Sequence, residues 1–79
     1  MAPVYTSIDP NDREAVVWLQ RALGRLASGT VVHIGRMSTL TVKAIRLYQH
    51  ARKLPITGEA DAPTLQRIRQ ELEDKGLTP

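Results

Sequence analysis

TVKAIRLYQHARKLPITGEADAPTL, residues 41–65, writes two helices and the turn between them. Ala44, Ile45, Tyr48 and Ala51 recur three and four residues apart, the period of a helix with one apolar stripe. Ser38, just upstream, has the side chain of an N-cap, and Leu54-Pro55 is a stop because the residue before proline is pushed out of helical geometry. Gly58 permits a backbone turn that a side chain resists. Asp61 then caps a further helix with Pro63 tolerated in its first turn, and Leu65, Ile68 and Leu72 supply its inner face. The middle helix is predicted over about residues 39–52.

Upstream, Ala15, Val16, Leu19, Ala22, Leu23 and Leu26 keep the same spacing. Asp9-Pro10 reads as the start of this first helix: the carboxylate can accept from free first-turn amides, and proline lacks the amide that would go unpaired. Asp12 and Glu14 add negative charge near the positive end of the helix dipole, and Gly29 reads as the stop. The helix is predicted over about residues 10–27, followed by a loop over 29–37 in which Val31, Val32, Ile34 and Met37 are candidates to tuck inward. Residues 1–8 read as a loosely held arm from which Val4, Tyr5 and Ile8 can pack back, and residues 76–79 as a tail. Trp18-Leu19-Gln20-Arg21-Ala22 and Leu47-Tyr48-Gln49-His50-Ala51 echo each other, but two short amphipathic helices do so by chance, and no repeat array is read from them. The expected fold class is all-α, a compact three-helix bundle over residues 9–75.

Composition narrows what such a bundle can do. A chain of 79 residues hides about 60% of the surface its unfolded form exposes, which argues against a large buried active-site cavity. The absence of cysteine excludes disulfides and thiolate metal sites. The apolar runs are too short for membrane insertion, and the amino terminus lacks the basic start and apolar stretch of a secretory signal. Net charge is +3, yet no acid falls between Glu14 and Glu59, where Arg21, Arg25, Arg36, Lys43, Arg46, Arg52 and Lys53 all lie. Such a field favours anionic partners, with a solvated basic face as the competing reading.

Three blocks in order carry a family resemblance: Val16-x-x-Leu19-Gln20-x-x-Leu23; Thr41-x-x-Ala44-Ile45-x-x-Tyr48-Gln49; and Leu54-Pro55-Ile56-Thr57-Gly58 followed by Asp61-x-x-Thr64-Leu65. Over residues 14–72 the chain resembles the small peptidoglycan-binding domains attached to bacterial and phage cell-wall hydrolases. The resemblance implies a non-enzymatic three-helix module that docks on murein. It departs from the family where D-G-x-F-G-P-x-T is usual: Ile34 stands for the acid, Met37 for the aromatic and Ser38-Thr39 for Gly-Pro, while Gly35 and Thr41 remain. That loop borders the groove the family is thought to use for ligand. A domain of this family works outside the cytoplasmic membrane, so a chain without a signal implies release by lysis, another export route, or a longer parent chain.

Candidate ligand-binding residues are Arg36, Arg46, Gln49, Tyr48, His33 and Trp18, each with a plainer alternative. Arg36 and Arg46 can meet an anionic wall peptide through forked hydrogen bonds, or can simply be solvated. Gln20 and Gln49, beside apolar stripes, are read first as amides that hold loop backbone and second as ligand contacts. Tyr48 is read first as core filling with its hydroxyl emerging at an edge, and Trp18 as a half-buried flank or a sugar-stacking ring. His33 and His50 lack the spacing of a zinc site, and no metal or cofactor is expected. Leu19, Gln20, Gly35, Thr41, Ile45, Leu54, Pro55, Gly58, Asp61 and Leu65 are assigned to the structural motif. Nucleophile motifs, phosphate loops and a His-Glu-x-x-His run are absent, and Glu59 with Asp61 reads as a turn and a cap rather than as a catalytic acid pair.

The first functional expectation is therefore a non-catalytic peptidoglycan binding module, with a catalytic wall-hydrolase domain as a possible companion. The alternative is a diverged adaptor that binds a protein partner through Ile34, Met37 or Leu40. A basic helical bundle on nucleic acid ranks third, since the Leu-Pro-x-Thr-Gly turn gives no reason for it.

Overall fold

The computed structural model describes residues 5–26 and 35–77. Three helices follow in chain order: α1 (Arg13–Leu26), α2 (Thr39–Ala51) and α3 (Ala62–Lys75). α1 packs against both others, and the described residues contain no strand. The shared core takes Trp18, Leu19, Ala22, Leu23 and Leu26 from α1, Ala44, Ile45 and Tyr48 from α2, and Leu65, Ile68 and Leu72 from α3. Each fully covered leucine or isoleucine contributes about 1.5–3 kcal/mol relative to an exposed one. The three-helix, all-α expectation is thereby met.

The start of α1 differs from the sequence reading. Asp9, Pro10, Asn11 and Asp12 form a turn, with the Asp12 amide donating to the Asp9 carbonyl at 2.9 Å and the Asn11 amide to the Asp9 carboxylate at 2.9 Å. Proline fits the second position of such a turn, whose φ its ring already holds. Asp12 is the residue that caps the helix: its carboxylate accepts from the Ala15 amide at 3.3 Å and its carbonyl from Val16 at 3.0 Å. The expected end at residue 27, the Gly29 stop and the inward placement of Val31, Val32 and Ile34 lie outside the described residues.

The two later helices start where their caps predicted. Ser38 Oγ accepts from the Thr41 amide at 3.3 Å, and Asp61 Oδ1 accepts from the Thr64 amide at 3.3 Å with Pro63 in the first turn. Both also end alike. After α2 the Leu54 amide donates to the Gln49 carbonyl at 2.9 Å and the Lys53 amide to His50 at 3.1 Å. After α3 the Leu77 amide donates to Leu72 at 2.9 Å and the Gly76 amide to Glu73 at 3.1 Å. Each ending turns through a left-handed residue, Lys53 at φ 59° and Gly76 at φ 64°, and brings a leucine back onto the core. Ala51, expected on the inner stripe, is exposed, because Leu54 returning through that turn takes the core contact in its place.

Residues at both edges pack inward as well. Tyr5 and Ile8 lie against the core, the Tyr5 ring centroid 5.2 Å from that of Trp18 with the planes tilted by 54°. Leu77, read from sequence as part of a tail, also touches the core.

Candidate functional site

Two turns, one before α2 and one before α3, are built to the same plan. Gly35-Arg36-Met37-Ser38-Thr39-Leu40-Thr41 and Gly58-Glu59-Ala60-Asp61-Ala62-Pro63-Thr64 share a glycine, a capping side chain three residues on, and a threonine three residues beyond that. Gly35 has φ +70° and Gly58 φ +75°, backbone that favours glycine in both.

A buried glutamine from the preceding helix holds each turn. Gln20 Nε2 lies 3.0 Å from the Arg36 carbonyl and 3.0 Å from Thr41 Oγ1, while its Oε1 accepts from the Gly35 amide at 3.2 Å. Gln49 Nε2 lies 2.9 Å from the Glu59 carbonyl, 2.9 Å from Thr64 Oγ1 and 3.1 Å from Thr57 Oγ1, while its Oε1 accepts from the Thr57 and Gly58 amides, each at 3.1 Å. Both glutamines are 0% exposed. An amide side chain presents a carbonyl acceptor and an NH2 donor side by side, which is what the inward backbone groups of these turns require. The sequence echo around Gln20 and Gln49 thus coincides with two glutamines that do the same structural work.

An arginine lies over each glycine. Arg13 Cγ, Nε and Cζ stand 2.6, 3.2 and 3.2 Å from the point a Gly35 Cβ would occupy, and Arg46 Nε and one terminal nitrogen stand 2.8 and 3.5 Å from the corresponding point at Gly58. Arg13, Arg36, Arg46 and Lys43 are all exposed, and among the described residues none has a carboxylate within ion-pair distance. All eight acids of the chain are among those residues.

Arg52, counted in the same basic field by sequence, is not free. Its Nε and a terminal nitrogen each meet Glu71 at 2.8 Å, a terminal nitrogen reaches the Leu26 carbonyl at 3.3 Å, and Cζ lies 4.3 Å from the centroid of the Tyr48 ring. Arg67 adds a 3.1 Å contact to Glu71. The hydrogen bonds from Arg52 hold the Glu71 carboxyl down at about 2, and the same bonds raise Arg52 above its ordinary value. Hydrogen bonding from Thr64 lowers Asp61, in keeping with its capping role.

For three of the ligand-binding candidates burial favours the plainer of the two readings. Gln49 is consumed by its turn. Tyr48 is 1% exposed, and its hydroxyl, expected at an edge, is buried and has no hydrogen-bond partner among the described residues; burial pushes its pKa up. Trp18 is 8% exposed beneath Tyr5 and offers no open face for a sugar ring. His33 lies outside the described residues, as does Ile34. Met37, offered as an adaptor contact, is partly buried against the core. Arg36 and Arg46 remain at the surface, one in each unit, and Arg13 joins them as a residue that sequence reading passed over. Its signal was spatial: nothing in the spacing from Arg13 to Gly35 announces their contact.

A family model described as "Putative peptidoglycan binding domain" matches residues 12–68, from the cap of α1 through both glutamine-held turns into α3. Comparison with curated proteins gives no match, and comparison with solved structures gives none. With more than half of its length matched, and with three helices joined by those turns, the chain belongs to this family of peptidoglycan-binding domains.

Proposed function

We propose that the protein is a non-catalytic module that tethers its parent assembly to the cell wall, holding murein at the outer surfaces of the two turns through Arg36 and Arg46. The observation that carries this reading is that the family match spans both turns while their exposed arginines have no ion partner among the described residues. Forked guanidinium donors suit the carboxylates of a wall peptide, and a shallow polar surface gives modest affinity per copy that tethering multiplies. Co-sedimentation of the folded protein with purified sacculi, free of any release of soluble fragments, is the expected result. Failure of the folded chain to sediment would remove the reading.

A protein-binding role is favoured by one feature, the exposure of Leu40 at 58% and Leu47 at 56% seven residues apart on α2. If those leucines serve a protein partner alone, Leu40→Asp with Leu47→Asp leaves sacculus binding intact and abolishes the partner complex.

A further inference from the structure

Resting on the peptidoglycan reading, we infer that Arg13 and Arg46 form two quasi-equivalent carboxylate-binding positions, one over each glycine turn, so that one chain grips two free carboxylates of the murein stem peptides. Three observations lead there. Each arginine comes from the helix whose glutamine clamps the turn it covers, and each lies against a glycine whose lack of Cβ makes room for it. Both are exposed and, among the described residues, without a carboxylate within ion-pair distance, in contrast to Arg52, which is locked to Glu71. Arg13, finally, is the first residue of α1, where the helix dipole disfavours a cation, so helix stability does not account for it.

The units are not identical. Arg36 follows Gly35 in the first, and Glu59 follows Gly58 in the second, although Glu59 makes no ion pair with Arg46. Acids stand near both arginines, Asp12 and Glu14 on either side of Arg13 in the sequence and Glu59 beside Gly58, and none of them is within ion-pair distance of Arg13 or Arg46. Guanidinium forks also suit phosphates. The carboxylate is chosen because the stem peptides belong to the polymer this family binds, whereas phosphate belongs to polymers attached to it.

The test titrates the isotope-labelled chain with a soluble stem tetrapeptide carrying free carboxylates. It is joined to sedimentation with acid-extracted sacculi, free of phosphate polymers, before and after amidation of their carboxylates. Amide shifts are expected at both Gly35 and Gly58, with Arg13→Gln erasing the first set and Arg46→Gln the second. Each single variant should bind sacculi about threefold more weakly and the double variant about tenfold more weakly. Wild-type protein on amidated sacculi should behave as the double variant does on untreated sacculi, a comparison that needs no substitution to fold. Shifts at one turn only, or a folded double variant that holds untreated sacculi as wild type does, would overturn the proposal and leave peptidoglycan binding standing. Wild-type protein that ignores untreated sacculi would overturn both.

Discussion

Gln49 shows how much of this small fold rests on single polar side chains. It is fully buried, and its amide meets two backbone donors and one backbone acceptor of the turn that aims α3. Gln49→Leu keeps the volume but leaves those groups dry and unpaired, which should cost about 2–4 kcal/mol and lower Tm by about 10 °C or more in a calorimetric scan. Gly58 is constrained from the other side. A Cβ there would sit in a left-handed backbone and 2.8 Å from Arg46 Nε, so Gly58→Ala should cost about 1–3 kcal/mol by urea titration. Tyr48 differs from both: its buried hydroxyl has no partner among the described residues, and Tyr48→Phe should leave urea stability unchanged within about 1 kcal/mol or raise it.

At the level of elements, the paired helix endings set up a direct comparison. Gly76 takes its left-handed position at no steric cost, whereas Lys53 takes the same position with a side chain attached. Lys53→Gly should therefore stabilise the chain by about 0.5–1 kcal/mol in equilibrium unfolding, a gain that Gly76→Lys would reverse at the other helix. The endings also explain what was readable in the sequence. The starts of α2 and α3 were legible because Ser38 and Asp61 cap by bonds within three residues, a range that local pattern covers. The start of α1 was misplaced because Asp9 and Asp12 are both competent caps, and the turn around Pro10 selects the second. The likeness of the two turns was hidden because glutamine and glycine are 15 residues apart in the first and 9 in the second, so no fixed period aligns them. Which cations stay free could not be read either, since Arg52 and Arg46 look alike until α3 brings Glu71 to one of them.

Across the whole molecule, the Arg52 and Glu71 pair gathers the end of α1, the end of α2 and the middle of α3 at one point. Glu71 titrates near 2 when folded, below the ordinary 4.5 it regains when unfolded. Its contribution is therefore complete above the unfolded value and fades as pH falls from about 5 toward 2. Acid titration of urea stability should show that loss, and Glu71→Gln should flatten it while lowering stability at neutral pH, since Arg52 then keeps a desolvated charge without its partner. The tilted contact of Tyr5 with Trp18 has an optical consequence. Trp18 is the sole indole in the chain, so its emission is a private signal from the seam between the amino-terminal segment and α1. Murein captured at the glycine turns should leave that colour unaltered, while lifting of the segment carrying Tyr5 should shift it toward the red.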